Sequence, residues 1–402
     1  METPDTMPRY DLLIKGGRVI DPSQGLDGPA DVALAAGRVA AVSYDIDPSG
    51  AARVLDAAGK LVLPGLIDLH THIYPGATTI GVEADRDCLA KGTTTVVDAG
   101  SAGAYTFAGF RRFVANVSQA RALAYLNISC IGAPIDDISM AELGWLPLVN
   151  VDAAVEAIEA NRDLIVGIKV RMGKEVVWDN GIQPLHLALE AAERAGVPLM
   201  VHIGDSPVRV GEILDLMRPG DILTHAFTAF GGLEIAPDRK SYRLRPFQAR
   251  GTGTTLLDAG GQVIPQAWAA RRRGVYFDVG HGGGSFSYEV FRACMEQGFG
   301  PDTISTDLHT GSIKAPVQDL PTLMSRFLDL GLTLPQIVEA TTSRPAQALG
   351  MAGEIGALRP GAAGDVTVLD LLQGSFTYLD ASRQALQGRR RLAPAATVRA
   401  GR

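Results

Sequence analysis

Eight apolar segments of strand length recur between residues 61 and 351, and helix-like segments separate them. This alternation is the usual pattern of βα units. Eight such units in one stretch of chain match the size and rhythm of a TIM barrel. We therefore predict an α/β fold, a (β/α)₈ barrel, with strands at Leu61–His72, Thr94–Ala99, Ala124–Ile131, Ile165–Met172, Pro198–Ile203, Ile222–Phe227, Val275–Val279 and Thr303–Leu308.

Helix-like segments between these strands would form the outer ring of the barrel. One connection, Thr228–Gly261, is too long for a simple loop, and we expect a functional or partly structured insertion there. The predicted helices are Gly81–Lys91, Phe107–Gln119, Val151–Asn161, Pro184–Ala195, Val208–Met217, Ser287–Gln297 and Leu320–Leu328, and Leu334–Leu349 closes the series.

Both ends of the chain are rich in short strand-like segments instead. Asp31–Leu34 and Arg38–Val42 flank a glycine, as the two strands of a hairpin do. Asp365–Leu369 has the same character near the other end. We expect one small β-sandwich domain built from both chain ends. The expected domains are residues 1–60 (first part of the sandwich), 61–351 (the TIM barrel) and 352–402 (second part of the sandwich).

Composition excludes several classes of protein. The net charge of −7 offers no basic surface for nucleic acid. The three cysteines, Cys88, Cys130 and Cys294, are widely spaced, so they form neither a disulfide framework nor a zinc-knuckle pattern and suit a reducing compartment. No apolar run has the character of a signal peptide or the length of a membrane span. We expect a cytoplasmic protein with neither nucleic acid nor a membrane as partner.

The chain has seven histidines, and two of them end the first predicted strand at His70 and His72. Side chains two residues apart on a strand point the same way, so both imidazoles would face the barrel interior and could share one metal ion. Two histidines in this spacing can also be polar surface residues. The apolar run that begins at Leu61 and ends in Asp68-Leu69 makes that reading the weaker one.

Lys169 lies within an apolar strand, where an unpaired lysine is costly. A carbamate formed on this lysine would be anionic and could bridge two divalent ions. A buried ion pair explains the residue equally well when the strand is considered alone.

Three more candidates end predicted strands at the face that carries catalysis in TIM barrels. His202 and His225 end the fifth and sixth strands, and two histidines at equivalent positions favour metal binding over satisfied core residues. Asp307 ends the eighth strand. A carboxylate there can bind a metal ion and also accept a proton from metal-bound water.

This set of residues strongly resembles the amidohydrolase superfamily. The features that carry the resemblance are Pro64–His72, then Lys169, His202, His225 and Asp307 in order on strands four, five, six and eight. The segment from Gly353 to Asp370 looks like the superfamily's return into its small β-sandwich, so the resemblance spans almost the whole chain. In finer detail, Gly167–Arg171, Asp278–Ser285 and Ser305–His309 are similar to the amidohydrolase/deacetylase branch, whose members are often labelled dihydroorotase.

The resemblance implies a metal-dependent hydrolase with two divalent metal ions. His70, His72 and Asp307 would hold one ion, His202 and His225 the other, and a CO₂-derived carbamate on Lys169 would bridge them. Imidazole and carboxylate ligands suit Zn²⁺ best, although Mn²⁺ and Fe²⁺ stay open. The metals would activate water for attack on an acyl carbonyl, and Asp307 would be catalytic as the acceptor of its proton.

Two further residues are candidates for substrate binding. Arg171 shares the face of Lys169, and its guanidinium could bind a substrate carboxylate through two hydrogen bonds. A salt bridge at the barrel rim is the alternative. His281 lies in a glycine-rich turn after the seventh strand, where it could reach a substrate carbonyl or carboxylate.

The leading functional prediction is a deacetylase or esterase that removes an acetyl group from a small carboxylate-bearing substrate, such as an acetylated α-hydroxy acid or an N-acyl amino acid. A cyclic amidohydrolase of the dihydroorotase or hydantoinase kind is the first alternative. A catalytically silent scaffold is the second, and the intact ligand set argues against it. The superfamily implies a homo-oligomer with a small acylated molecule as its substrate.

Overall fold

The computed structural model describes residues 8–134, 141–236 and 241–402. Its secondary structure follows the predicted alternation in the middle of the chain and is mostly strand at both ends. The strands are β1 (Leu12–Asp21), β2 (Leu26–Ala35), β3 (Arg38–Ser43), β4 (Val54–Asp56), β5 (Leu61–Pro64), β6 (Leu66–Thr71), β7 (Thr93–Gly103), β8 (Arg121–Asn127), β9 (Ile165–Arg171), β10 (Leu199–His202), β11 (Ile222–Thr224), β12 (Leu233–Ile235), β13 (Tyr242–Leu244), β14 (Tyr276–Phe277), β15 (Val366–Leu379) and β16 (Ala385–Val398).

The helices lie mainly between the strands of the central region. They are α1 (Phe107–Phe110), α2 (Val151–Glu159), α3 (Lys174–Val177), α4 (Gln183–Ala195), α5 (Val210–Leu216), α6 (Pro265–Arg273), α7 (Tyr288–Glu296), α8 (Leu320–Asp329), α9 (Leu334–Thr341) and α10 (Ser343–Ala348). Several begin at a side-chain cap; Asn150 accepts from Ala153 and Ser287 from Val290, which satisfies N–H groups that a helix start leaves unpaired. Among the described residues, no helix has both the length and the apolar character needed to cross a membrane.

Seven parallel strands form the central sheet in the order β14-β11-β10-β9-β8-β7-β6. The segment 303–308, predicted as the eighth strand, forms two single parallel bridges instead of a full strand. One bridge joins Asp278 to Thr303 beyond β14, and the other joins Thr71 to Leu308 beside β6. The sheet therefore curls so that one segment contacts both of its edges, an arrangement consistent with the predicted TIM-type barrel.

The first predicted strand, Leu61–His72, is wrong as a single element because the chain changes sheets at Pro64-Gly65. β5 pairs with β1 and β15, whereas β6 pairs with β7. Gly65 is required there, since a Cβ on this residue would lie 2.2 Å from the Thr94 hydroxyl oxygen. His72 follows the last residue of β6, and its backbone N–H donates to the carbonyl of Leu308.

Both chain ends contribute to a second sheet. Its order is β16-β15-β5-β1-β2-β3, with β4 paired to β1, so it has seven strands. The long antiparallel pair β15–β16 extends beyond this sheet and packs against α8. There the backbone N–H of Leu392 donates to the Ser325 hydroxyl. The two-layered sandwich and the division into residues 1–60, 61–351 and 352–402 stay predictions.

The predicted insertion Thr228–Gly261 contains the short hairpin β12–β13 and otherwise irregular chain in its described part. Helix α6 follows it and was missed by sequence analysis. Ala267 and Ala270 are its buried positions among three exposed or half-buried arginines, so its apolar stripe is too narrow to stand out in the sequence. Conversely, the predicted helix Gly81–Lys91 shortens to a π-helical turn and a 3₁₀ turn.

Apolar side chains fill the interior of the curled sheet below the predicted metal ligands. This inner cluster comprises Ile67, Leu69, Val97, Ala99, Leu123, Tyr125, Met200 and Ile222, together with residues from the α10 region. A larger cluster lies between the strands and the surrounding helices. Close packing on both faces of the sheet fixes the strand ends, and therefore the side chains that project from them.

Candidate metal centre

The strand ends bring six predicted ligands together, five of them buried and one, His202, half-buried. His70 and His72 come from the end of β6, Lys169 from β9, His202 from β10, His225 from the residue after β11, and Asp307 from the 303–308 segment. The ligand atoms of His70, His225 and Asp307 lie within 4.8 Å of one another. The predicted convergence is therefore observed, at the carboxyl ends of the parallel strands.

A hydroxyl and a carboxylate orient His70. Its Nδ1 lies 2.9 Å from the Thr224 hydroxyl oxygen, and that hydroxyl donates over 2.8 Å to Asp278. Because the only hydrogen of Thr224 Oγ1 is used on Asp278, the oxygen must accept from His70 Nδ1–H. His70 Nε2 is then unprotonated and offers its lone pair to the centre of the group.

His72 has the same arrangement with different partners. Its Nδ1 lies 2.9 Å from the Ser101 hydroxyl oxygen. The backbone N–H of Ser101 donates to the buried Asp98 carboxylate over 2.7 Å, which holds this residue in place. With Nδ1 directed at the Ser101 hydroxyl, Nε2 of His72 faces the centre of the group.

Asp307 faces both of these nitrogens. Its Oδ1 lies 3.3 Å from His70 Nε2 and 3.3 Å from His72 Nε2. A carboxylate and two imidazole nitrogens thus meet in a buried space, and a metal cation between them would stabilise this arrangement. Two ligands of a tetrahedral zinc ion, each at about 2.0–2.1 Å, are about 3.3 Å apart. The observed spacing therefore fits one metal ion.

Asp307 has a strained backbone conformation at the position where its carboxylate faces the two histidines. Its φ of 49° lies in the left-handed region, which non-glycine residues rarely adopt. Its backbone N–H donates to the His70 carbonyl over 2.7 Å. A Cβ on Gly282 would lie 2.2 Å from Asp307 Oδ2, so only glycine lets the neighbouring loop pack against this carboxylate.

Lys169 is buried beside the histidines. Its Nζ lies 3.1 Å from His70 Nε2 and 3.6 Å from the Met200 sulfur. Burial lowers the pKa of Lys169 to about 7, so a substantial fraction of the amine is neutral at physiological pH. The neutral amine is the form that can react with CO₂.

His202 and His225 make the other side of the group. His202 Nδ1 and His225 Nε2 are 2.8 Å apart. His225 Nδ1 donates to the Gly280 carbonyl over 2.5 Å, which leaves its Nε2 as an acceptor. Burial lowers the pKa of His225 to about 4, so the ring is neutral and able to bind a cation.

Arg171 lies at the rim of the group and pairs with Glu142. Its Nη1 is 3.2 Å from Glu142 Oε2, and the Glu142 side chain is only 2% exposed. The Asn127 amide donates to the Gly100 carbonyl over 3.0 Å and lies 3.4 Å from Glu142 Oε1. The salt bridge weighed as an alternative for Arg171 is therefore present, and it orients the guanidinium.

His281 is fully buried, and the geometry does not support its predicted contact with substrate. Its Nδ1 donates to the Gly282 carbonyl over 2.9 Å, and its Nε2 accepts from Arg326 over 2.8 Å. Burial and the adjacent guanidinium lower the pKa of His281 to about 3. The side chain holds the glycine-rich turn in place and presents no ring nitrogen to the pocket.

Several residues of the site escaped sequence analysis. Arg326 is buried on α8 among apolar side chains and also donates to the carbonyls of Pro316 and Val317. Only its position inside an apolar helix face marked it as unusual. Thr224, Ser101 and Asp98 have common residue types without a distinctive spacing, so only their position beside strand ends was a signal.

Comparisons with known proteins agree with this site. Residues 288–401 match the model of the Amidohydrolase family. A deacetylase from Agrobacterium fabrum, named Deacetylase Atu3266, is 34% identical over 346 residues, which cover 86% of this chain and 79% of that protein. A deacetylase from Enterococcus faecalis is 32% identical over 395 residues, 98% of each chain.

Solved structures give the same result. The crystal structure of an adenine deaminase superposes with a TM-score of 0.85 at 31% identity and covers 98% of both chains. The crystal structure of a dihydroorotase gives a TM-score of 0.84 at 30% identity, covering 97% of this chain and 96% of that one. With the buried ligand group at the strand ends, these similarities show that the chain belongs to the amidohydrolase family and is a metal-dependent hydrolase.

Proposed function

We propose that the chain is a binuclear metal-dependent deacetylase or esterase. The expected substrate is a small molecule that carries both an acyl group and a carboxylate, such as an acetylated α-hydroxy acid or an N-acyl amino acid. The observation that carries the proposal is the buried convergence of His70, His72, Lys169, His202, His225 and Asp307. Relatives named deacetylase at 32–34% identity support the choice of reaction.

Two divalent ions, proposed as Zn²⁺, would be held by this chain. His70, His72 and Asp307 would hold one, His202 and His225 the other, and a carbamate on Lys169 would contact both. When bound, the ions supply an activated water and stabilise negative charge on the acyl oxygen. A carbamate requires the neutral amine, and the lowered pKa of Lys169 is consistent with it.

Asp307 is the proposed proton carrier. Oδ1 faces the two histidines, whereas Oδ2 lies against Gly282 on the other side of the carboxylate. One oxygen can therefore act as a ligand while the other accepts a proton and returns it to the leaving alkoxide or amine. His70 and His72 would use their Nε2 lone pairs on the metal ion, which leaves Asp307 Oδ2 to take that proton.

Arg171 is proposed to bind the substrate carboxylate. Glu142 orients the guanidinium, which carries five N–H donors and can therefore serve a second anion. Replacing Arg171 with Met should raise the KM of a carboxylate substrate about 10- to 100-fold, with kcat changed little. An unchanged KM would contradict substrate binding by Arg171 and leave it a structural role, such as its salt bridge to Glu142.

A cyclic amidohydrolase is the second candidate, because the similar sequences and the similar solved structures both include proteins named dihydroorotase. The dihydroorotase of Geotalea daltonii is 25% identical over 89% of this chain, and a dihydroorotase structure superposes closely. A catalytically silent scaffold is less well supported, since every predicted ligand is present and oriented.

A hydrolysis screen with zinc-loaded protein tests the proposal. It compares acetyl esters of α-hydroxy acids, N-acetyl amino acids and dihydroorotate. Turnover of an acetylated carboxylic acid is expected. Turnover of dihydroorotate alone would contradict the proposed deacetylase function and favour a cyclic amidohydrolase. No turnover with two metals bound would favour the scaffold. The predicted homo-oligomer is tested by light scattering on the same sample.

A further inference from the structure

We propose that Thr224 with Asp278, and Ser101 with Asp98, are two positioning relays that decide which nitrogen His70 and His72 present to a metal ion. The inference rests on the proposed metal centre and adds residues that no comparison assigns. In the first relay His70 donates to the Thr224 hydroxyl, and this hydroxyl donates to the buried carboxylate of Asp278. In the second, His72 Nδ1 lies 2.9 Å from the Ser101 hydroxyl oxygen, and Asp98 accepts from the backbone N–H of Ser101. The carboxylate of the first relay thereby fixes the proton on Nδ1 without touching the ring.

The first relay ends at the carboxylate of Asp278, which accepts hydrogen bonds from three hydroxyl groups. Asp278 is fully buried. It accepts from the hydroxyls of Thr224 over 2.8 Å, Thr303 over 2.6 Å and Ser305 over 2.6 Å. With three hydroxyl donors around it, the carboxylate orients the Thr224 proton towards itself. The Thr224 oxygen must then accept from His70 Nδ1–H.

The second relay uses different strands and a different carboxylate. Asp98 accepts from the backbone N–H groups of Ile73 over 2.9 Å and Ser101 over 2.7 Å. Ile73 follows His72 directly, so Asp98 fixes the backbone beside this histidine and also the residue whose hydroxyl contacts its ring. At both His70 and His72, a hydroxyl lies at Nδ1 and a buried carboxylate holds the residue that carries it, which argues against an accidental contact.

Among the described residues, neither His225 nor His202 has such a relay. His225 donates to a backbone carbonyl, that of Gly280. The ring of His202 hydrogen-bonds the ring of His225. Partners that orient a ligand histidine commonly affect metal affinity 10- to 100-fold. The relays therefore predict stronger binding on the His70–His72 side.

A purely structural role is the competing explanation, because Asp278 also links β11 to residues 303 and 305. That role predicts a loss of stability but no change in the proton position on His70. The two explanations are separated by measuring the tautomer directly.

The experiment replaces Thr224 with Val, which removes the hydroxyl at nearly constant shape, and with Ser, which keeps it. Nitrogen-15 NMR of metal-free protein reports the His70 tautomer, and calorimetric titration with Zn²⁺ reports affinity. We expect T224V to lose the Nδ1–H tautomer and to bind one of two zinc ions 10- to 100-fold more weakly. T224S should behave as the wild type within about threefold.

A T224V protein with the wild-type tautomer and both wild-type affinities would overturn the relay. Should T224V fail to fold, S101A gives the same readouts at His72 through the second relay. Wild-type protein that binds no zinc would instead overturn the proposed metal centre. Because no substrate enters these measurements, a wrong choice of reaction leaves their outcome unaffected.

Discussion

The two sides of the proposed metal centre are built differently. On one side, His70 and His72 lie at the end of β6, face the Oδ1 of Asp307 and are backed by the buried carboxylates of Asp278 and Asp98 through Thr224 and Ser101. On the other side, His202 and His225 come from two strands, and only a neutral carbonyl, that of Gly280, backs one of them.

This difference teaches that ligand type alone does not set the properties of a metal site. The same residue, histidine, is given a carboxylate-backed hydrogen bond on one side and a carbonyl-backed one on the other. A carboxylate makes the ring a stronger electron donor and fixes its orientation. The first side should therefore bind its metal more tightly, with Lys169 between the two.

The largest effect should come from Asp307, which serves the first side as both ligand and proton carrier. We expect Asp307→Asn to lower kcat about 10³- to 10⁴-fold, since the amide cannot accept the proton. Steady-state kinetics with matched zinc content measures this. The exposed Asp215→Asn, on α5, is the control and should retain full activity. A kcat near the wild-type value in Asp307→Asn would contradict the proposed role of Asp307 as proton carrier.

Lys169 tests the link between the two sides. Lys169→Ala should lower metal content from two equivalents towards one and reduce activity at least about 100-fold, because the shared ligand is lost. Atomic absorption after dialysis gives the metal content. Acetate or formate at high concentration should restore part of the activity by supplying a carboxylate in the vacated space. Two full equivalents in Lys169→Ala would contradict the bridging role.

The difference in affinity between the sides is the next effect in size. Zinc titration of the metal-free protein should show two steps, separated by about 10- to 100-fold in dissociation constant. Ser101→Ala should reduce the ratio of the two dissociation constants, because it raises the dissociation constant of the more tightly bound zinc ion. Equal affinities in the wild type would mean that the carboxylates do not distinguish the sides.

The smallest predicted effect concerns His281, outside both sides. Burial lowers its pKa to about 3, so between pH 6.5 and 3 the unfolded state binds a proton that the folded state does not. The free energy of unfolding should therefore fall as pH drops through this window, by up to about 5 kcal/mol from this residue.

Urea unfolding of metal-free protein across this pH range checks the prediction. His281→Gln should show a flatter pH dependence than the wild type, whereas the exposed His186→Gln should follow the wild-type curve. Identical slopes in wild type and His281→Gln would show that His281 does not titrate out of its buried state on unfolding.

The convergence of the proposed metal ligands could be predicted from the sequence because each one interrupts or ends an apolar strand, where burial would be costly without a function. His70, Lys169 and His225 all satisfy this rule. The strand ends of a parallel sheet meet at one face, so the local pattern was enough to bring distant residues together.

The partners of those ligands could not be predicted in the same way. Thr224 and Ser101 are neutral and compatible with strands, so nothing in their local sequence distinguishes a positioning hydroxyl from an ordinary one. His281 was misjudged because a glycine-rich loop usually exposes its side chains. Its actual partner, Arg326, lies 45 residues later on a helix, and only the tertiary structure brings the two together.

The central claim is that six side chains hold two metal ions, and anomalous diffraction from crystals of the zinc-loaded protein tests it most directly. The account predicts two zinc peaks. One should lie within bonding distance of His70, His72 and Asp307, the other of His202 and His225, with extra density on Lys169 Nζ between them. A single peak bound only by His202 and His225, or no peak at these residues, would contradict it.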